Sequence, residues 1–149
     1  MAYTVGEAAK QINVATSTLR YYDKEGLLPF VERSDGGIRL FKPEDISMLK
    51  TIECLKKTGM PIKEIKHFID CCVEGDAKIA ERLAIITDQQ ASVIAQMQEL
   101  QDMLDMLDFK RWYYETAQSA GTCAVHDDLS LTRVPEKFHK YLNKMPEQA

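Results

Sequence analysis

From residue 76 to about residue 119 the chain contains neither proline nor glycine, and this stretch limits the folds open to everything else. Uninterrupted over that length, it reads as one long helix. Along it Ile79, Leu83, Ile86, Gln90, Val93, Met97, Leu100, Leu104 and Leu107 recur at alternating steps of four and three. That is a heptad seam, interrupted only by Gln90. A helix with one apolar stripe is unstable alone and has to bury the stripe against a partner. The N-terminal helices described below already have each other, so the seam is expected to pair between two copies of the chain. Leu83, Ile86, Val93, Met97, Leu100, Leu104 and Leu107 would form that interface, with Gln90 able to fix register.

The whole chain has 149 residues, within the usual range of one compact domain plus an extension. No apolar run reaches membrane-spanning length, and the start MAYTVGEAAK lacks the basic-then-apolar pattern of a signal peptide. A cytoplasmic protein with no membrane partner is expected. In a reducing compartment the four cysteines, Cys54, Cys71, Cys72 and Cys123, would be packed, metal-bound or reactive rather than paired. The formal charge of -4 is unevenly spread. Residues 1–66 carry 11 Lys and Arg against 9 Asp and Glu, a net of +2, while residues 67–149 carry 8 against 14, a net of -6. The acid therefore lies away from the N-terminal region, although +2 is modest for a phosphate-binding surface.

That region, residues 4–28, reads as two short helices on a tight turn. Thr4 with Glu7 is a capping-box pair, and Val5, Ala8, Ala9 and Ile12 share one face. Asn13 tolerates the left-handed backbone such a turn often needs, and Gly26 ends the second helix. Leu19 and Tyr22 give that helix an inward side. The pattern predicts a helix-turn-helix. Thr16, Ser17, Thr18, Arg20 and Tyr21 supply hydroxyls, a guanidinium and a phenol suited to phosphate oxygens and base edges, and Tyr22 is counted with them as a candidate contact.

After Pro29, two β-prone runs flank Ser34, Asp35, Gly36 and Gly37, which predicts a hairpin. Arg33 and Arg39 lie either side of its tip and Lys42 follows, making a basic wing. Pro43, Glu44 and Asp45 open a third helix with Ile46, Met48, Leu49, Ile52 and Leu55 inward. It stops at Gly59, and Pro61 opens a fourth with the stripe Ile62, Ile65, Ile69 and Cys72, while Lys63, Lys66 and His67 take the outer side.

This order of helix-turn-helix, LRYYDKEGLL, GGIRLF and TGMPIKEI resembles the MerR family of bacterial transcription regulators over roughly residues 3–73. Two departures stand out: Ala15 where the family often has a serine cap, worth about 1 kcal/mol, and Asn13 where glycine is common. The resemblance implies a mainly α fold, a winged helix-turn-helix DNA-binding domain followed by a long coiled-coil dimerisation helix. The domains would be residues 1–73, with an accessory helix pair, then 76–119, then a C-terminal tail over 120–149. It further implies a homodimer on double-stranded promoter DNA. Thr16 to Tyr22 would enter major grooves, Arg33, Arg39 and Lys42 would hold flanking phosphates, and Lys63 and Lys66 would add basic contacts. In the family the dimer distorts an overlong promoter spacer for RNA polymerase, and inducer binding converts repression into activation. No cofactor is implied. The tail, with a short helical segment around residues 136–143, is too short for a separate effector domain, which points to a small inducer.

Cys54 falls off the apolar arc of the third helix, with Lys50 four residues before it and Lys57 three after. Two ammonium groups beside a thiol favour the reactive thiolate. Its position resembles that of the sensing cysteine in the aldehyde- and thiol-stress-responsive branch of the family, implying an electrophile as inducer. The alternative is a thiophilic metal held by Cys71, Cys72, Cys123 and His126 if the dimer brings the two regions together, although Cys72 lies on the apolar stripe and Cys71 would point elsewhere. An enzyme is disfavoured because none of His67, His126 and His139 has a visible pairing with Cys54. A coiled-coil scaffold without DNA affinity is the remaining alternative.

Overall fold

Thr4 starts the first helix as its spacing requires: Glu7 donates its backbone N–H to the Thr4 hydroxyl, and the Glu7 carboxylate accepts the Thr4 N–H at 2.8 Å. In the computed structural model, which describes residues 1–127 and 133–144, helix α1 then runs Val5–Gln11. Asn13 takes the left-handed conformation at φ 57°, turning the chain into α2, Thr16–Lys24. No side chain caps α2 at Ala15, so its placement rests on packing.

The wing is short. Strands β1, Glu32–Arg33, and β2, Arg39–Leu40, pair antiparallel, and Tyr3 bridges to Phe41 to tie the N-terminus to the wing's return. Helix α3, Pro43–Lys57, begins with the buried Asp45 carboxylate accepting the Lys42 N–H at 2.8 Å. Helix α4, Ile62–Glu74, follows Pro61. A 3₁₀ turn at Asp76–Lys78 then leads into α5, Ile79–Ala120, so the long helix begins three residues later than its sequence alone predicts.

The chain divides into two compact units, Met1–Val93 and Ile94–Ala149. In the first, Ala8, Ala9, Leu19, Tyr22, Phe41, Leu49, Ile52, Ile65 and Ile69 form a fully buried core to which α1 to α4 and the wing all contribute. Helix α4 buries a wider arc than its expected stripe: Phe68 and Cys71 are buried while Ile62 and Cys72 are only half-buried. The expected assignment holds in direction, with Cys72 packed against the core and Cys71 outside that cluster, although Cys71 is the more buried of the two. Cys72 packs at the edge of the core, and Cys71 is covered by the returning chain near Glu81.

The second unit has its own small core, Phe109, Val134, Phe138 and Tyr141, with Trp112 packed beside it. Phe138 and Tyr141 belong to a 3₁₀ segment, Glu136–Lys144, placed where a short helix is expected. Their rings lie 5.5 and 5.4 Å from that of Phe109. The seam residues Leu83, Met97, Leu100, Leu104 and Leu107 remain more than half exposed in the single chain, with Ile86 exposed and Val93 half-buried. No described helix is long and apolar enough to cross a membrane.

One ionic contact fixes the wing against α2. Asp23, near the end of α2, accepts a hydrogen bond from Arg39 and another from Arg33 at 2.9 Å. The Arg39 hydrogen bond, and then the two guanidinium charges, hold the Asp23 carboxyl below the usual carboxylate range. A depressed carboxyl stabilises the fold above its unfolded value, about 3.9, and that contribution is lost as pH falls through the folded value. Asp23→Asn is expected to cost about 1 kcal/mol at pH 6. In thermal melts the gap from wild type should close as pH is lowered below about 4; a gap independent of pH would assign the loss to something other than the carboxylate.

Candidate nucleic-acid interface

Helix α2 presents Ser17, Arg20 and Tyr21 to solvent, with Thr16 and Thr18 half-exposed beside them. Arg20 makes no ion pair among the described residues, so its guanidinium is available to a base edge or a phosphate. Tyr22 is a correction to the predicted set. Its side chain is fully buried, its hydroxyl donates to Glu53 Oε1, and Lys56 Nζ donates back to that hydroxyl at 3.2 Å. The i, i+3 spacing from Leu19 turns Tyr22 inward, and two adjacent tyrosines on a helix lie about 100° apart. Burial first, then the Glu53 hydrogen bond, push the Tyr22 phenol well above its ordinary value, so it remains a donor.

The wing closes as a tight turn in which Gly37 N–H donates to Ser34 O at 2.8 Å and Ser34 N–H to Ile38 O at 2.8 Å. Gly37 supplies the left-handed φ of 79°. Arg33 spans the turn, donating Nη1 to Gly37 O at 2.9 Å and Nη2 to Asp23. Arg39 is the more enclosed of the two. Neither arginine is the free arm its sequence position implies, because both are already turned onto the carboxylate of Asp23. Lys42 likewise pairs with Glu32 at 2.6 Å. On α4, Lys66 pairs with Asp70 at 2.8 Å, while Lys63 is exposed with no ion pair among the described residues.

Two residues at this surface escaped the sequence reading. Asp23 lies 10 and 16 residues from the arginines it holds, a separation with no local periodic signal. Ile38, two-thirds exposed at the wing tip, is an apolar residue next to a basic strand. Its position between Gly37 and Arg39 was the available clue.

The sensing candidates separate as follows. Cys54 is exposed on α3, and Lys50 and Lys57 are exposed on the same helix, with no hydrogen bond from either to the sulfur among the described residues. Cys71 is buried, and burial first, then the Glu81 charge, push its thiol up. Cys123 is exposed in the second unit. His126 there is buried, with Nε2 at 2.8 Å from Tyr113 O and 2.9 Å from Thr116 Oγ1 and its ring stacked on Tyr113 at 4.0 Å. Within the first unit, the donor atoms beside Cys71 are those of His67 and Glu81.

Comparison with known proteins follows this arrangement closely. Residues 3–71 match the MerR HTH family regulatory protein domain, and residues 46–108 match the MerR DNA-binding domain. Over 136 residues the chain is 41% identical to an uncharacterized HTH-type transcriptional regulator of Haemophilus influenzae, covering 91% of this chain and 98% of that one. Among solved structures it is similar to HiNmlR, a MerR family regulator lacking the sensor domain, bound to promoter DNA. The identity is 42% and the TM-score 0.66, over 84% of this chain and 99% of that one. A MerR-family transcriptional regulator from Bacillus thuringiensis matches at 44% identity and TM-score 0.64, over 74% of this chain and 96% of that one. With its helix-turn-helix, clasped wing and long α5 in the same order, the chain belongs to the MerR family of transcriptional regulators.

Proposed function

We propose that the chain acts as a homodimer on double-stranded promoter DNA, reading it with α2, bracing on it with the wing, and switching transcription through a thiol-reactive small molecule. The observation that carries this reading is the joint exposure of Arg20 and Tyr21 on α2 beside a wing whose arginines are preset by Asp23. The DNA-bound state of a regulator 42% identical over most of this chain supports the same use of the surface. Two copies of α2 would enter successive major grooves, and Arg33 and Arg39 would exchange Asp23 for flanking phosphates. Deforming the promoter between them would make it a better or worse template for RNA polymerase, which is indirect readout.

Dimerisation is inferred from the apolar seam. Leu83, Met97, Leu100, Leu104 and Leu107 expose large apolar side chains along one seam, a surface a monomer does not leave in water without a partner. For the switch, Cys54 is the thiol best placed for an electrophile: it is exposed, with Lys50 and Lys57 one turn away on α3. Its sequence neighbour Glu53 accepts the Tyr22 hydrogen bond from α2, so an adduct on α3 would press on the helix that holds the reader.

Three measurements test this. In mobility-shift titrations Arg20→Ala should weaken operator binding by about 1–3 kcal/mol, with a salt dependence that reports phosphate contacts; unchanged affinity would remove α2 as reader. Leu100→Asp with Leu104→Asp should convert the dimer to monomer in sedimentation, because two charges in a seam lack partners, and a surviving dimer would place the interface elsewhere. Cys54→Ala should bind the operator normally yet lose the transcriptional response to an aldehyde. A retained response would sink the thiol switch.

A further inference from the structure

We propose that His67, Cys71 and Glu81 form a site for one thiophilic divalent cation of the zinc class, joining α4 to the first turn of α5. His67 and Cys71 are one helical turn apart on α4, the i, i+4 spacing that puts two side chains on one face. Glu81 is brought to them by the turn at Gly75, whose φ of 88° reverses the chain, followed by the 3₁₀ turn at Asp76–Lys78. His67 Nε2 lies 2.8 Å from Glu81 Oε1 and 4.0 Å from Cys71 Sγ, and all three donor atoms lie within 4.8 Å of one another.

Those distances fit a shared cation closely. Metal bonds of about 2.3 Å to sulfur and about 2.1 Å to nitrogen or oxygen place tetrahedral donors roughly 3.4–3.6 Å apart. The nitrogen–sulfur gap has to close by about half an ångström and the nitrogen–oxygen gap to open by about as much, which side-chain rotation supplies without moving the backbone. The chemistry of the donor set, one thiolate, one imidazole and one carboxylate, suits zinc and its congeners better than calcium or magnesium.

The direction of the contacts separates a metal site from a catalytic relay. In a nucleophile–histidine–acid relay the acid and the nucleophile address opposite ring nitrogens. Here the thiol and the carboxylate both face Nε2, so the three donors converge on one point. The other Glu81 oxygen is held by Lys78 at 3.0 Å, and Arg82 donates to Gly75 O at 3.0 Å, so the surrounding turn is itself fixed. Cys71 closes the inner side of the site, being 2% exposed, while the half-exposed His67 opens onto a groove lined also by Pro61, Lys63, Ile85 and Gln89. Binding releases the Cys71 thiol proton to solvent and leaves the single proton of the neutral His67 ring on Nδ1, with no change of oxidation state. Three protein ligands leave the fourth position to water. Cys54 takes no part, so this site stands or falls separately from the electrophile switch.

Cobalt(II) titration of the metal-free, reduced 149-residue chain tests the assignment. One Co²⁺ per chain is expected, with a thiolate-to-cobalt charge-transfer band that excess Zn²⁺ removes. Cys71→Ser should abolish the band, and His67→Gln, a change at an exposed side chain that does not threaten the core, should weaken binding by at least about 10-fold. Cys54→Ser and Cys72→Ser should keep both band and stoichiometry. Circular dichroism on each variant reports whether it is folded. No saturable charge-transfer band in the wild type, a band that persists in Cys71→Ser, or unchanged affinity in folded His67→Gln would overturn the site.

Discussion

The phenol of Tyr22 is the joint on which the DNA-facing surface depends. Helix α2 has nine residues and no side-chain cap, too little to hold itself in water. Its angle is set from beneath by Leu19 and Tyr22, both fully buried, and at the far end of the Tyr22 ring by Glu53 and Lys56 of α3. The Lys56 ammonium also lies over the same ring at 5.4 Å from its centre. Glu53 accepts from the hydroxyl and the Lys56 ammonium donates to it, so both its donor and its acceptor capacity are used. What α2 shows to solvent, Arg20 and Tyr21, follows from what it hides.

The wing follows a related economy of charge. Asp23 gathers Arg33 and Arg39 into one network, which orders two long side chains before any ligand arrives and removes part of the entropy they would otherwise lose on binding. The same pairing lowers the positive field of a region that carries only +2 over its first 66 residues. Attraction at long range is therefore weak, and affinity has to come from close fit. On the proposed reading, a DNA phosphate entering the wing would exchange one anionic partner of the arginines for another instead of meeting unpaired charge, which would favour placement over bulk attraction.

Local periodicity was legible in the sequence and long-range pairing was not. The Thr4–Glu7 capping box, the left-handed Asn13 and the apolar arc of α3 each depend on residues within one or two turns, and each is readable. The spacing of Tyr22 points inward while its chemistry suits DNA, and packing decides for the first. Cys71 is buried although it lies off the core stripe, because the start of α5 covers a second side of α4, a contact the stripe of α4 alone does not encode. Asp23 and the aromatic core of the tail had no local signal: Val134, Phe138 and Tyr141 meet Phe109 only because the chain turns back after Gly121.

Helix α5 carries two obligations on different faces, and their angular separation links them. Ile85 packs against the first core, and Gln89 Nε2 donates to Thr58 O at 2.9 Å and to Thr58 Oγ1 at 3.1 Å, one helical turn further on. The neighbouring Leu83, Ile86 and Gln90 belong to the seam and face solvent. A seam that paired one residue out of register would turn α5 by about 100°, withdrawing Ile85 from the core and breaking both Gln89 bonds. In the proposed dimer, the packing of Ile85 and Gln89 would therefore select the seam's register. Thr58 caps the C-terminus of α3, the helix whose Glu53 holds Tyr22 of α2. Packed contacts therefore run from the seam through α3 to the reader, and an inducer can use them only to the extent that it binds one arrangement of α3 more tightly than another.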